Sequence, residues 1–337
     1  MKLSRRDFLK LSGAALLSMA FRHWPEEDEF PPPPTPLWLG RAVRALKYYE
    51  QPTYKSKAPG TYRADTILNI YEEKMGDART SHNRLWYRTA DGWIHSAYVQ
   101  PVRNAWNRPI LEIPETGLLA EVTVPFTDAL RAIGGGAAYR FYYGTTHWVY
   151  EAVQDQQGQL WYRVLDDRYR KFYFVEAKHL RPVKDAELSP IAPEVADKRI
   201  EVDLTQQKLF AYENGELVFT APVATGHKGW ETPTGNFRIE RKRPSRHMAA
   251  GDLAAGVGFD LPGVPWVAYF HWSGVAFHGT YWHNDYGTPK SAGCVNMKPD
   301  DARWLYRWTM PVVPAGVDVA QDDNGTEVAV VGETPDD

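Results

Sequence analysis

Cys294 is the only cysteine among the 337 residues of this chain, and it lies in the run S-A-G-C-V-N from Ser291 to Asn296. A thiol attacks a carbonyl carbon when a base removes its proton and backbone amides stabilise the oxyanion. His278, in the run H-G-T, lies 16 residues before the cysteine and follows the apolar run V-A-F. This pattern predicts a histidine held stiffly at the end of a buried strand. We therefore predict Cys294 as a nucleophile and His278 as its base.

The residues beside this pair are candidates for positioning the reaction. Gly293 allows a tight backbone turn, so that the amides of Gly293 and Cys294 could point at one oxyanion. An imidazole that accepts the thiol proton would leave the sulfur as a thiolate in an ion pair. The structural alternatives are that Cys294 is a small buried hydrophobic residue and that His278 is an ordinary core histidine.

A zinc hydrolase built on His278, His283 and Cys294 is a weaker hypothesis. The spacing H-x4-H followed by a cysteine after ten residues matches no usual zinc pattern. We predict neither a metal site nor a cofactor.

The first 40 residues have the composition of an export signal and a linker. The run S-R-R-D-F-L-K at residues 4–10 matches a twin-arginine signal. The apolar stretch that follows, 11–21, is shorter than the ~20 residues that a membrane-spanning helix needs. We predict a signal at 1–21 and an acidic, proline-rich linker at 22–40. The protein would then reach the cell envelope, anchored to the membrane if the signal stays uncleaved.

The composition is that of an ordinary globular protein. Charged residues make up 24% and hydrophobic residues 43% of the chain, close to the usual proportions. The net charge of -3 gives no reason to expect nucleic acid as a partner. The length predicts two or three domains.

A faint duplication lies between residues 41 and 184. The run L-W-Y-R occurs at 85–88 and again at 160–163, and each copy is followed by a strand-like stretch. Self-similarity of this kind predicts two copies of one small β domain, each with about five short strands. We place the two barrels at 41–103 and 117–184. The first resembles the bacterial SH3-like domains that accompany cell-wall enzymes; such domains could bind glycan strands, or could be spacers.

Residues 198–320 show strand alternation and one convincing helix. Ile200, Val202 and Leu204 share a face, and Asn214-Gly215 indicates a hairpin turn. Pro299 begins the predicted helix, directly after the cysteine loop. We interpret 321–337 as an acidic, frayed tail.

The segment 199–320 resembles the catalytic domain of the L,D-transpeptidases that cross-link bacterial peptidoglycan. The resemblance rests on several runs of sequence. They are I-E-V-D-L-T-Q-Q-K-L at 200–209, P-V-A-T-G at 222–226, T-P-T-G-N-F at 232–237, H-G-T at 278–280 and S-A-G-C-V-N-M at 291–297. The resemblance implies a mainly β protein, in which two SH3-like barrels precede an all-β catalytic domain with one short helix after the cysteine.

The resemblance also implies a reaction. The enzyme attacks the carbonyl between the third residue, a diamino acid, and the terminal D-alanine of a tetrapeptide stem. D-alanine leaves, a thioester forms, and the side-chain amine of another stem resolves it as a 3→3 cross-link. Carried over by position, Cys294 is the nucleophile and His278 the base. The remaining site residues help the oxyanion hole, position the loop or substrate, or line the groove: Gly293, Ser291, Asn296, Gly279, Thr280, Tyr281 and Trp282.

Several alternatives remain open from the sequence. The family commonly has histidine where this chain has Ala292, so the acceptor could be unusual. The acceptor could be a stem amine, water or a protein, which leaves an L,D-carboxypeptidase or another exported cysteine peptidase as rival enzymes. A non-catalytic wall-binding protein is the non-enzymatic alternative.

Overall fold

The computed structural model describes residues 35–78, 82–252 and 257–336. The described chain is mainly β, as the sequence predicts, and its one α-helix is α1 (Pro299–Trp308). The predicted signal and most of the predicted linker lie outside the described residues. Within the described part, no helix has the length and apolar character that a membrane span requires.

The first β region consists of eight short strands in three small sheets, ordered β4-β1-β8, β2-β3 and β5-β6-β7. Their bounds are β1 (Trp38–Ala42), β2 (Leu46–Tyr48), β3 (Gly60–Tyr62), β4 (Ile67–Ile70), β5 (Glu72–Met75), β6 (Leu85–Arg88), β7 (Trp93–His95) and β8 (Val99–Val102). The predicted end of the linker at residue 40 is wrong, because β1 already pairs with β4 and β8 from Trp38 and Leu39 onward.

The second β region is one seven-stranded sheet with the order β11-β10-β14-β13-β12-β9-β15. Its strands are β9 (Leu118–Val122), β10 (Phe126–Leu130), β11 (Ala137–Tyr142), β12 (Thr146–Gln154), β13 (Leu160–Asp166), β14 (Lys171–Glu176) and β15 (Leu180–Pro182). Both copies of L-W-Y-R begin a strand that lies between its two neighbours in the chain, β6 in the first region and β13 in the second. Both regions have more strands than the five we expected, and the likeness to SH3 domains stays a prediction.

Two five-stranded sheets form the third region, with the orders β18-β17-β16-β25-β19 and β23-β22-β21-β20-β24. The first contains β16 (Lys198–Asp203), β17 (Lys208–Glu213), β18 (Glu216–Pro222), β19 (Gly235–Arg238) and β25 (Glu327–Val331). The second contains β20 (Arg241–Asp252), β21 (Val257–Tyr269), β22 (Ala276–Gly279), β23 (Val295–Met297) and β24 (Ala320–Gln321). A shared apolar core that includes Val202, Phe277 and Val295 joins the two sheets.

The chain end corrects our interpretation of 321–337 as a frayed tail. Strand β25 pairs in parallel with β16 and antiparallel with β19, so it lies inside its sheet. Val328 and Val330 are almost fully buried, and their spacing of two is the alternation of a half-buried strand. Acidic residues surround this short apolar run, so the composition of 321–337 as a whole did not indicate a strand.

Helix α1 begins and packs as the sequence predicts. Pro299 occupies its first turn with two acidic residues, where the helix dipole favours negative charge. Leu305 and Trp308 bury its apolar face in the core. Two buried lysines satisfy carbonyls at its C-terminal end: Lys198 Nζ donates to Trp308 O at 2.9 Å, and Lys242 Nζ donates to Thr309 O at 2.8 Å.

Buried charges join the long hairpin of β20 and β21 to the second β region. His247, on β20, is almost fully buried. Its Nδ1 lies 2.5 Å from Asp166 Oδ2, and its Nε2 hydrogen bonds to Asp260. Arg246 forms an ion pair with Asp167 at the same contact. The second β region therefore holds the hairpin by charge-assisted hydrogen bonds.

The charge on His247 is expected to make this junction depend on pH. Burial lowers the pKa of His247, but the hydrogen bonds to Asp166 and Asp260 outweigh burial and raise the pKa above its ordinary value. A raised pKa stabilises the folded state fully below the ordinary histidine pKa of about 6.5, and this stability is lost as pH rises through the higher folded value. Urea unfolding of wild type and His247→Gln between about pH 6 and pH 9 should show the difference in unfolding free energy shrinking as pH rises. A difference that does not change with pH would contradict this role.

Candidate active site

Neighbouring strands place Cys294 and His278 on one face of the second sheet. Strands β22 and β23 are parallel, with Phe277 opposite Val295 and His278 opposite Asn296. Continuing this register by one residue puts Cys294, which directly precedes β23, at the level of Ala276. Side chains two residues apart in a strand share a face, so Cys294 lies on the same face as Ala276 and His278. Strand spacing puts the Cα atoms of Cys294 and His278 about 8 Å apart. The sheet thus brings together the two residues that the sequence selected.

The environment of His278 fixes which ring nitrogen can act as a base. Its side chain is buried, and Nδ1 lies 3.1 Å from the carbonyl oxygen of Gly279. A carbonyl can only accept, so Nδ1 carries the proton and Nε2 keeps a free lone pair. Burial lowers the pKa of His278 to about 4. The ring is therefore neutral at neutral pH and able to accept a proton.

The thiol of Cys294 is also in its neutral form. Cys294 is partly buried, and its Sγ donates to the carbonyl oxygen of Gly274 at 4.0 Å. Burial raises the pKa of the thiol to about 11, although a hydrogen bond from the Ala276 amide opposes the rise. These shifts favour a neutral thiol and a neutral imidazole in the free protein, rather than the ion pair that we predicted. The proton would move only when a substrate is attacked.

Hydrogen bonds hold the cysteine loop in a tight turn. Ser291 Oγ donates to the carbonyl oxygen of Cys294 at 2.5 Å and accepts from the Gly293 amide at 3.1 Å. Gly293 has a φ of 115°, in the region that favours glycine. Because its amide is already bonded to Ser291, our expectation that Gly293 donates to an oxyanion does not fit this loop. Ser291 and Gly293 instead shape the turn, which leaves the Cys294 amide as the local candidate donor.

Asn296 and Thr280 are buried beside His278. Asn296 Nδ2 hydrogen bonds to Nε2 of His283 at 2.9 Å, a partner that the sequence did not indicate for it. Within the described ranges, Asn296 Oδ1 and Thr280 Oγ1 have no hydrogen-bond partner. Across the same ranges, no three His, Cys, Asp or Glu side chains are grouped so as to hold a metal ion.

Tyr281 and Trp282 differ in their access to the site. Tyr281 is buried, its hydroxyl donates to the carbonyl oxygen of Pro262 at 3.1 Å, and its own carbonyl accepts from Arg41 at 2.8 Å. We expected from the sequence that this hydroxyl would be free above the groove. This expectation is wrong, because the hydroxyl is already hydrogen bonded to Pro262. Trp282 is partly exposed, and its ring centroid lies 5.6 Å from that of His278.

Comparisons with known proteins match the region that contains this site. The model of the family described as YkuD, L,D-transpeptidase catalytic domain, matches residues 197–330. A putative L,D-transpeptidase YkuD from Bacillus licheniformis is 30% identical over 133 residues, which cover 38% of this chain and 67% of that protein. The chain belongs to the L,D-transpeptidase catalytic domain family. Members of this family act on peptidoglycan stem peptides.

Other relatives match smaller parts of the chain. L,D-transpeptidase 1 of Mycobacterium tuberculosis is 30% identical over 98 residues, which cover 28% of this chain and 39% of that protein. A solved L,D-transpeptidase (Yku) from Stackebrandtia nassauensis is 28% identical, with a TM-score of 0.30 over 41% of this chain and 57% of that chain. The structure of the Ldtfm-avibactam carbamoyl enzyme is 27% identical, with a TM-score of 0.33 over 42% of this chain and 51% of that chain.

The other motifs of the L,D-transpeptidase domain meet under the cysteine loop. The carbonyl oxygen of Thr225 accepts the Ser291 amide at 3.0 Å. Thr232 Oγ1 donates to the carbonyl oxygen of Gly293 at 2.7 Å and accepts the Gly226 amide at 2.9 Å. The motif residues thus act as supports for the loop. The sequence pointed to these motifs only through the resemblance, since no local pattern pairs Thr232 with Gly293.

Ala292, where the resemblance predicts a histidine, occupies an exposed position. Ala292 is exposed on the loop, between the buried Ser291 and Gly293. None of the hydrogen bonds that hold the turn passes through its side chain. The side chain at position 292 therefore takes no part in holding the turn.

Proposed function

We propose that this protein is an L,D-transpeptidase that forms 3→3 cross-links in peptidoglycan through a thioester on Cys294. The observation that carries the proposal is the placement of His278, on β22, and Cys294, directly before the parallel strand β23, on one face of the sheet. The hydrogen bond to Gly279, which leaves Nε2 of His278 free, supports the same role.

The chemistry follows from two neutral groups in a desolvated site. As the thiol attacks the stem carbonyl, its S–H turns from the Gly274 carbonyl oxygen toward His278 and its proton moves to Nε2, so no thiolate needs to exist beforehand. The Cys294 amide donates to the oxyanion. The protonated imidazole then gives its proton to the departing amine of D-alanine, and a thioester remains on Cys294. An incoming stem amine attacks the thioester and gives a proton back through His278 to the sulfur.

The proposal also includes the cellular context that the sequence predicts. The twin-arginine signal at 1–21 would direct export to the cell envelope, where peptidoglycan is the substrate. The small β regions would contact the wall, and glycan strands and stem peptides are both available there. If an amine of a partner protein took the place of the stem amine as acceptor, that protein would become attached to peptidoglycan.

Product analysis separates this activity from its nearest rival. Incubation of the purified protein with tetrapeptide-stem muropeptides, followed by mass spectrometry, should give dimers that have lost one D-alanine. A carboxypeptidase would give trimmed tripeptides alone, because water would resolve the thioester. If folded protein gave neither product, the proposal would be contradicted. A non-catalytic wall-binding function would then be the remaining alternative.

A further inference from the structure

Two adjoining pockets lie between Trp282, whose ring is beside that of His278, and the second β region. They have volumes of about 420 and 580 Å³ and share Ala138, Tyr139 and Asp260 in their walls. Together they form one groove between the second β region and the hairpin of β20 and β21. Pockets of this size suit ligands larger than a single amino acid.

The inner pocket approaches His278 through Trp282, beyond the His278 end of β22. Tyr281 and Trp282 line it, and the Trp282 ring contacts His278. Cys294 lies level with Ala276, the first residue of β22, so Gly274, which precedes this strand, lies on one side of the cysteine and His278 lies on the other. A ligand in the inner pocket therefore approaches the thioester from the side of the base.

The outer pocket combines aromatic walls with two unpaired cations. Tyr139 and Tyr173 line it with ring centroids 5.5 Å apart, and Tyr169, which also lines it, is 45% exposed. Arg131 and Lys171 are exposed in its wall, and within the described part of the chain neither side chain has an ion-pair partner. The outer end of the groove is thus positively charged.

The inner pocket differs in charge because its arginines are neutralised. Arg41 and Arg140 both pair with Asp65, at 2.7 and 3.0 Å, and Arg140 also pairs with Asp128 at 2.9 Å, so that two carboxylates balance the two arginines. Asp260, between the two pockets, hydrogen bonds to His247. Free positive charge is therefore confined to the outer end, where it would attract carboxylates.

The route of proton transfer through His278 indicates which substrate binds on the His278 side of Cys294. His278 gives its proton to the departing amine and must take one from the incoming amine, so both amines have to pass the same imidazole. The acyl part of the donor must then bind on the opposite side of Cys294, near Gly274. An acceptor stem peptide fits the groove in charge, since its amine would face His278 and its carboxylates would lie toward the cations. Sugar hydroxyls carry no charge and would make no use of unpaired cations.

We propose that this groove binds the acceptor stem peptide and that Arg131 and Lys171 hold its carboxylates; the inference rests on the proposed function. In the step it serves, the acceptor amine forms a C–N bond to the thioester carbonyl as the C–S bond breaks. The proton of the amine passes through His278 to the sulfur. The second β region would thus form part of the transferase site rather than act as a spacer.

The test uses the full chain and the double variant Arg131→Gln/Lys171→Gln. The donor is a stem tetrapeptide and the acceptor a stem tripeptide, each prepared with meso-diaminopimelate and with L-lysine at position three. We expect the acceptor KM to rise about five- to tenfold, while donor acylation changes less than about twofold. Added salt should raise the wild-type acceptor KM but have little effect on that of the variant.

The double variant Arg108→Gln/Lys208→Gln is the matched control, because both side chains are exposed and lie outside the two pockets. An unchanged acceptor KM in the groove variant, or an equal loss of acylation and transfer, would overturn the inference. An effect seen only with polymeric peptidoglycan would also overturn it, because the groove would then bind glycan. If the wild-type protein formed no acyl-enzyme, the proposed function itself would be contradicted, and this inference would fail with it.

Discussion

His278→Gln should lower the rate of Cys294 acylation by about two to four orders of magnitude at neutral pH. The wild-type imidazole is neutral above its pKa of about 4, so wild-type acylation should change little between about pH 5 and pH 8. Without this base the reaction depends on the thiolate, whose fraction rises tenfold per pH unit up to the thiol pKa of about 11. The variant rate should therefore climb steeply with pH. Single-turnover acylation by a carbapenem, followed across this range, measures both effects.

His271→Gln is the matched control for this experiment. His271 is partly exposed, and its Nδ1 hydrogen bonds to Ser273 in the turn before β22. We expect its acylation rate to stay within about threefold of wild type. A flat pH profile for His278→Gln, or equal losses in both variants, would show that His278 is not the base.

Trp308→Ala should lower the free energy of unfolding by about 3–5 kcal/mol, the usual cost of removing a buried tryptophan side chain. Trp308 is 1% exposed and ends the apolar face of α1. Its Nε1 donates to Glu213 Oε1 at 2.6 Å, and its ring stacks on that of Trp304. The substitution opens a cavity behind the sheets and leaves Glu213 without this donor. The midpoint and slope of urea unfolding measure the loss.

Trp272→Ala provides the comparison, since Trp272 is 87% exposed. We expect its unfolding free energy to stay within about 0.5 kcal/mol of wild type. If both tryptophan variants lost the same stability, the packing of α1 against the sheets would not be what holds this region together.

The catalytic pair could be predicted from the sequence because its signals are local. The apolar run before His278 and the glycine before Cys294 indicate a strand end and a turn, and the sheet places these two features next to each other. The helix after the cysteine was predictable for the same reason, since Pro299 and the acidic residues of its first turn are adjacent in the chain.

The remaining features depend on contacts between distant residues. His247 is 81 positions from Asp166, and Thr232 is 61 positions from Gly293, so no local pattern links either pair. The neutral state of Cys294 follows from burial, which spacing does not reveal. The groove lies between the second β region and the hairpin of β20 and β21. These regions are far apart in the sequence, and only the fold places them side by side.

The most direct test of the central claim is mass spectrometry of the intact protein after incubation with a carbapenem. If Cys294 is the nucleophile, the wild type should gain the mass of one inhibitor molecule, and Cys294→Ala should gain none. Circular dichroism should show the same β-rich spectrum for both proteins. Equal adducts on both proteins, or no adduct on a folded wild type, would contradict the assignment of Cys294.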